Sequence, residues 1–165
     1  MKYSKEQTIH LATLLNKTTC LQDINQLIVK EGCTEEIFFI HQEELLDMDC
    51  VENQLAKEGQ RNRFKSMDSA LVVVQESDAT HKIMLVEFRF NYKKMSNLTK
   101  VELFEKVAGS TNALENTLII DDKYYFIFNA NLKQQAINRF RRMVPSMPHN
   151  FIATDIHELK TLFFD

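Results

Sequence analysis

The sequence of 165 residues has little glycine, proline and cysteine, and it lacks long apolar runs. With three glycines and two prolines there is little material for a flexible linker, so a single domain over 1–165 is predicted, long enough to build its own core. The N-terminal stretch lacks the apolar centre of a signal peptide. No apolar run approaches the roughly 18 residues of a membrane span. We therefore expect a globular protein with no membrane partner.

The three cysteines, Cys20, Cys33 and Cys50, are odd in number and form no CxxC motif. Free thiols in a reducing cytosol suit this pattern better than a disulfide framework, so the sequence predicts a cytoplasmic protein. The five histidines show neither HxH nor HxxxH spacing, and they form no zinc pattern with the cysteines. A glycine-rich phosphate loop and a GxSxG motif are missing, which leaves P-loop and serine-hydrolase functions without support.

Charge is unevenly distributed, although the net charge is only −3. Between Cys33 and Glu58 there are eight acids and a single base, Lys57. This acidic segment, 35–58, is either a solvated face or a surface for a basic protein partner. The bases cluster elsewhere, as solvated faces or as a phosphate-facing surface. They are Arg61, Arg63 and Lys65, then Arg89, Lys93 and Lys94, then Arg139, Arg141 and Arg142.

The apolar spacing predicts helices first and strands afterwards. Residues 1–59 are expected to be helical, including the ambiguous run from Glu35 to Met48, because Thr34 can cap a helix there and acids fill its first turn. Residues 60–67 are expected to form an edge strand. The later elements are a strand pair at 70–75 and 82–90, a helix after Thr99, a hairpin within 117–129, a helix over 132–143, a short strand at 151–154 and a helix after Asp155.

This order of elements predicts an α/β (α+β) protein, with a central mixed β-sheet of about four to six strands flanked by helices. The sheet core and its crossover helix would occupy 60–130, and the remaining helices and short strand 131–165. Ala108, Gly109 and Ser110 lower the helix propensity of the crossover helix. A close crossing of this helix over the sheet would explain them.

The central strand pair carries charged residues although it is otherwise apolar. Strands this apolar usually have both faces covered. Asp68 precedes the first strand, and Glu87 and Arg89 lie two residues apart on the second, so the latter two share a face. Strand pairing brings Asp68 towards Glu87, and two carboxylates that share a cation lie within about 5–6 Å. Alternatively, Asp68 is a turn residue and Glu87 forms an ordinary ion pair with Arg89.

This stretch resembles the PD-(D/E)XK nuclease superfamily. Asp68 matches the family Asp, with Met67 in place of the preceding Pro. Glu87-Phe88-Arg89 matches the acid-x-Lys motif, with Arg in place of Lys. The resemblance covers 45–130 and implies a restriction-endonuclease-like core, in which the helix after Thr99 crosses over the sheet.

The resemblance also implies a chemistry, the hydrolysis of phosphodiester bonds with Mg²⁺ or Mn²⁺ held by Asp68 and Glu87. Family members often add a Glu from the helix before the strands, and the candidates here are Glu58 and Glu52. The implied catalytic residues are Asp68, Glu87 and Arg89. Because arginine does not deprotonate, Arg89 would replace only the electrostatic part of the family lysine's role. Further phosphate contacts are expected from Arg61, Arg63, Lys93 and Lys94.

Two functions are open on the sequence, and it does not decide whether the protein is an enzyme. The first is a nuclease-like protein, active or catalytically degenerate, that acts on or binds nucleic acid. The second is a non-catalytic protein-binding module, such as a cytoplasmic immunity or antitoxin-type protein. In that case the acids of 35–58 should form one contiguous exposed patch, because complementary charge would speed association with a basic toxin.

Overall fold

A computed structural model describes residues 1–40, 42–75 and 79–165 of the chain, and within them six α-helices flank a mixed seven-stranded sheet. The helices are α1 (Lys5–Leu14), α2 (Ile24–Lys30), α3 (Met48–Glu58), α4 (Lys100–Ala113), α5 (Ala130–Arg142) and α6 (Ile156–Phe163). The strands are β1 (Lys2–Tyr3), β2 (Leu21–Asp23), β3 (Glu44–Asp47), β4 (Ser69–Val74), β5 (His81–Phe88), β6 (Ile119–Phe128) and β7 (Phe151–Asp155). The predicted fold class is confirmed, with more strands than expected.

The strand order is β2-β3-β4-β5-β6-β7, and β1 pairs with β4. The neighbours from β2 to β5 are antiparallel, whereas β5, β6 and β7 are parallel. Parallel neighbours need a crossover connection, and α4 and α5 supply the two that are required. Residues 69 and 70 of β4 pair with β3, and residues 73 and 74 pair with β1.

Side chains alternate between two apolar cores along the strands. On β4, Ala70 and Val72 face the core that includes residues of α1, α3, α4 and α5, while Leu71 and Val73 face the core that includes residues of α2 and α6. Helices therefore cover both faces of the sheet, as the apolar composition of the central pair predicted.

The N-terminal third differs from the helical prediction, because β1, β2 and β3 all lie within it. The run after Thr34 was predicted to be a helix, but its described part is an irregular connection followed by β3. Leu45 and Leu46 are both fully buried and point into opposite cores. Neighbouring residues are separated in this way by the two-residue period of a strand.

Two further strand predictions were wrong. Residues 60–67 form no strand, since β3 and β1 already pair with that edge of β4. The hairpin expected within 117–129 is the single long strand β6. Its three polar residues, 121–123, fall where the register between β5 and β6 shifts, and the buried Asp121 pairs there with Lys82 across 3.3 Å.

Cys20 and Cys50 form a disulfide with their Cα atoms 5.5 Å apart, so the prediction of free thiols was wrong for these two. The turn that ends at Cys20 lies beside the first turn of α3, a tertiary contact that sequence spacing does not reveal. Cys33 is free. The disulfide removes the free-thiol argument for a reducing cytosol, and the cytoplasmic location stays a prediction. Across the described ranges, no helix has both the length and the apolar character needed to cross a membrane.

Candidate functional site

The register of β4 and β5 brings the two predicted carboxylates together. Ser69 pairs with Val86, so Asp68 lies beside the end of β5. The Phe88 backbone N–H donates to Asp68 Oδ2 at 2.6 Å. Asp68 is 7% exposed and Glu87 only 2%. The carboxylates thus lie at the end of the central strand pair, shielded from bulk water.

Lys106 of α4 links these two carboxylates and was not among the predicted site residues. Its Nζ lies 2.8 Å from Glu87 Oε1 and 3.5 Å from Asp68 Oδ1, so those oxygens are no further apart than the sum of the two distances. It also donates to Glu87 Oε2 at 2.9 Å. Lys106 lies one helical turn before the buried Ser110, and that spacing is the sequence signal that places it on the inner side of α4.

The segment before β4 holds α4 in place. A Cβ atom on Gly109 would lie 1.9 Å from the Lys65 carbonyl oxygen, so only glycine allows this approach. The next residue, Ser110, accepts a hydrogen bond from the Met67 backbone N–H at 2.8 Å. The close crossing anticipated for 108–110 is therefore made, but against segment 60–67 and not against a strand. It positions Lys106 over the strand ends.

Arg89 shares the face of Glu87, as predicted, but its guanidinium is committed to protein groups. Nε lies 2.9 Å from Glu87 Oε1, without hydrogen-bond alignment. The two terminal nitrogens donate to Glu102 Oε1 and to the Tyr92 hydroxyl, both at 2.8 Å. With 7% exposure, Arg89 holds Glu87 and Glu102 in position and does not face an incoming phosphate.

Burial decides the protonation of this cluster. Desolvation raises the pKa of Glu87 to about 8, the charge of Asp68 adds to the shift, and Arg89 and Lys106 oppose it. Desolvation also raises the pKa of Asp68, against the attraction of Lys106. Burial disfavours the charge of Lys106, but Glu87 and Asp68 outweigh burial and raise its pKa. An ammonium therefore lies beside a carboxyl group that takes up a proton near neutral pH.

The structure does not bring Glu58, the predicted third metal ligand, to this cluster. Its side chain is 60% exposed and pairs with Lys17. The alternative, Glu52, is buried and binds both terminal nitrogens of Arg61, at 2.6 and 3.1 Å. Within the part of the chain that the structure describes, no three His, Cys, Asp or Glu residues are grouped closely enough to hold a metal ion.

The α3 acid that acts on the cluster is Asp49, whose charge contributes to the raised pKa of Asp68. It was counted in the acidic segment but not among the site residues. Asp49 and Lys106 line the same cavity of about 310 Å³, together with Arg63. One member of the cluster, Lys106, thus lies at the wall of this cavity.

Asp68 and Glu87 form a donor set of two carboxylates. Mg²⁺ is commonly bound by one or two carboxylates, with water and substrate phosphate as its other ligands. Asp68 and Glu87 supply that number, and the Lys106 ammonium marks a cation position that both carboxylates already share. A metal ion would have to displace Lys106 from this position.

The four predicted phosphate contacts separate into two groups. Arg63 lines the cavity beside Lys106, and Arg61 lines a neighbouring one. Lys93 and Lys94 are exposed on the connection between β5 and α4, and they do not join the contacts of the cluster. Of these four bases, the two from segment 60–67 line cavities.

The acids of segment 35–58 do not form the contiguous exposed patch that was expected. Only Glu36 and Glu58 are exposed, and Glu43, Asp47 and Glu52 are buried. Most of these acids serve as ion-pair partners or helix caps within the fold. The observed pairs are Glu35–His157, Glu44–Lys5, Asp47–Lys30, Asp49–Arg63, Glu52–Arg61 and Glu58–Lys17. This removes the basis for a basic protein partner at this segment.

No protein-family model, curated protein or solved structure matches the chain. The PD-(D/E)XK resemblance therefore stays a prediction, based on Asp68 and on Glu87-Phe88-Arg89.

Proposed function

We propose that this chain is a nuclease-type phosphodiesterase that depends on a divalent metal, with Asp68, Glu87 and Lys106 at its centre. One observation carries the proposal. Two buried carboxylates, one directly before β4 and one on β5, share a single cation position, which Lys106 fills from the crossover helix at the wall of a cavity. A bound Mg²⁺ or Mn²⁺ would polarise the phosphate and activate water.

In this proposal the residues have separate roles. Asp68 and Glu87 would hold the cation as carboxylates, so binding would require Glu87 to lose the proton that burial favours. Lys106 provides an ammonium group in place of the family lysine, whose motif position is occupied by Arg89. Its position at the cavity allows contact with a phosphate. Arg89 is a positioning residue, because its guanidinium links Glu87 to Glu102.

The composition of the cluster supports a role beyond folding. Replacing a buried ion pair with apolar residues often leaves stability unchanged or raises it. Here three acids, Asp68, Glu87 and Glu102, surround two bases, and burial raises the pKa of the first two acids. Perturbed pKa values beside a cavity are typical of functional sites.

Cleavage of DNA and RNA in Mg²⁺ or Mn²⁺ tests the proposal, with wild type beside Glu87→Gln. The control is Glu158→Gln, which changes a lysine-paired carboxylate elsewhere. We expect metal-dependent cutting by wild type and by the control, and its loss in Glu87→Gln. Absence of cutting by folded wild-type protein in both metals would overturn the proposal.

One observation favours a second candidate, a degenerate site that binds nucleic acid without cutting it. Every carboxylate oxygen of Asp68 and Glu87 already has a partner, from Phe88, Arg89 or Lys106. If those partners exclude the cation, Mg²⁺ or Mn²⁺ will not raise the melting temperature of wild type. If the cation binds, it stabilises wild type by mass action and stabilises Glu87→Gln less.

A further inference from the structure

Residues of the segment between α3 and β4 line three adjoining cavities. One of about 410 Å³ lies against α4 and is lined by Phe64, Ala108, Gly109 and Asn112. It shares Phe64 with the cavity of about 310 Å³ at Lys106. The third, of about 700 Å³, lies on the α3 side of the segment and shares Arg63 with the other two. We call the two cavities that share Phe64 the groove, and Lys106 lines one of them.

Phe64 is an exposed aromatic ring that the fold holds firmly. Its backbone N–H donates to the buried Glu52 at 2.7 Å. The same carboxylate binds Arg61, whose guanidinium lies over the Phe64 ring at 4.4 Å from the centroid. Phe64 is nevertheless 49% exposed. Glu52 thus anchors a stacked pair that presents a ring to the groove.

The groove combines an apolar wall with hydrogen-bonding and cationic groups. Phe64, Ala108 and Gly109 provide an apolar wall, and the Asn112 amide provides a hydrogen-bond donor and an acceptor. Arg63 and Lys65 add cations at the same cavity.

The ion pairs of these two cations leave them available to a phosphate. Arg63 pairs with Asp49 and Lys65 pairs with Glu105, and all four side chains are close to half exposed. Pairs this exposed are weak and are screened by salt, so a phosphate can compete for the cations.

We propose that this groove binds an unpaired nucleic-acid strand, with one base stacked on Phe64 and the neighbouring backbone at Lys106. The inference rests on the proposed function and names its substrate class. Aromatic rings combined with a cationic groove bind single strands, because an unpaired base offers its flat face. A base inside a duplex has both faces covered by its neighbours and must leave the stack to make this contact.

A tryptophan reporter tests the stacking directly, since the chain has no tryptophan of its own. Phe64→Trp is titrated in EDTA, where metal-dependent cutting is absent, with a single-stranded oligonucleotide and with its duplex. We expect fluorescence quenching by the single strand and much less by the duplex. Phe104→Trp is the control, because Phe104 is also partly exposed (39%) but packs against Phe151, outside the groove. No quenching at position 64, or equal quenching in the control, overturns the inference.

Affinity variants separate stacking from folding. We expect Phe64→Leu to weaken single-strand binding by about 5- to 150-fold, the range found for loss of one base–aromatic stack, while Phe64→Trp retains it. Both variants keep an apolar side chain, and circular dichroism checks their folding. Equal affinity of the leucine and tryptophan variants overturns the inference.

The two proposals fail in different ways. If single and double strands are cut at equal rates and Phe64→Leu changes neither rate, the proposed binding of unpaired strands is overturned. The nuclease proposal then still stands. Quenching by single strands without any cutting in Mg²⁺ or Mn²⁺ overturns the nuclease and leaves the groove as a binding site.

Discussion

The chain contains two lysine-bridged carboxylate pairs with the same construction. In each, a lysine from a crossover helix contacts two acids at the end of the sheet. Lys106 of α4 joins Asp68 and Glu87. Lys133 of α5 joins Asp155, at the end of β7, and Glu158, in the first turn of α6, with Nζ 3.0 Å from Asp155 Oδ2. We refer to these as the β5 pair and the β7 pair.

The two pairs differ mainly in the depth of the second carboxylate. The Glu158 side chain is 52% exposed and that of Glu87 only 2%. Hydrogen bonds from Lys133 and then Thr154 lower the pKa of Glu158. Burial raises the pKa of Asp155, but the Glu158 backbone N–H and Lys133 outweigh it and the net shift is downward. In the β5 pair burial prevails and both acids are shifted upward. Similar contacts therefore shift the pKa values of the acids in opposite directions at the two depths.

The largest expected effect is on the cleavage rate, which should depend on Lys106 and not on Lys133. If the nuclease proposal holds, Lys106→Met should reduce the cleavage rate by about 10²- to 10³-fold, the usual cost of removing one donor that stabilises charge in the transition state. Lys133→Met should leave the rate unchanged, because the β7 pair does not border the proposed site. Initial rates at saturating substrate measure both. Equal losses in the two variants would contradict the distinction.

Replacement of Gly109 tests whether the close contact between α4 and segment 60–67 holds Lys106 in position. Gly109→Ala should lower the free energy of unfolding by about 1–3 kcal/mol, the typical cost of overpacking, because its Cβ meets the Lys65 carbonyl. Gly59→Ala is the matched control. Gly59 has φ −83°, and its Cβ would lie 3.2 Å from the nearest atom, the Leu55 carbonyl oxygen, so a much smaller change is expected. Urea unfolding measures both, and equal effects would show that the crossing is not tight.

The pH dependence of stability should have opposite signs in the two pairs. The folded-state pKa of Glu87 is about 8, above its ordinary 4.5. Its contribution is therefore full below about pH 4.5 and is lost as the pH rises to about 8. The pKa of Glu158 is lowered, so its contribution is present above the ordinary value and lost as the pH falls through the folded-state value. Urea unfolding across pH should show the first slope removed by Glu87→Gln and the second by Glu158→Gln.

The smallest effect is expected for the stability of the β7 pair itself at neutral pH. Lys133→Met should change the free energy of unfolding by about 0–1 kcal/mol, because Glu158 is half exposed and Asp155 keeps its hydrogen bond from the Glu158 backbone N–H. Thermal unfolding at low and high salt measures this change. A loss well beyond that range would mean that the β7 pair is structurally as important as a buried one.

The sheet centre was predictable because its signals are local. Apolar runs identified β4 and β5, and the two-residue period correctly placed Glu87 and Arg89 on one face. Helix caps were also readable from the sequence. Thr99 accepts from the Glu102 backbone N–H at 3.4 Å, and Asp155 accepts from that of Glu158 at 2.9 Å.

Most of what was missed depends on distant partners. β2 pairs with β3 over more than twenty residues, and the Tyr3 hydroxyl bonds both the N–H and the carbonyl of Glu44, so very short strands form where propensity alone predicts helix. Lys106 was missed because the motif lies on the strands, whereas the docking of α4 through Gly109 and Ser110 decides which lysine reaches the carboxylates.

The disulfide between Cys20 and Cys50 has a mechanical consequence. It closes a loop with a sequence separation of 30 that contains β2, α2 and β3. A chain pulled from its two ends cannot extend this loop while the bond is intact. At roughly 3.3–3.6 Å per residue, the oxidised chain should release about 100 Å less contour length than the reduced chain. The loop that cannot extend lies within the N-terminal third, whose strands were not predicted from the sequence.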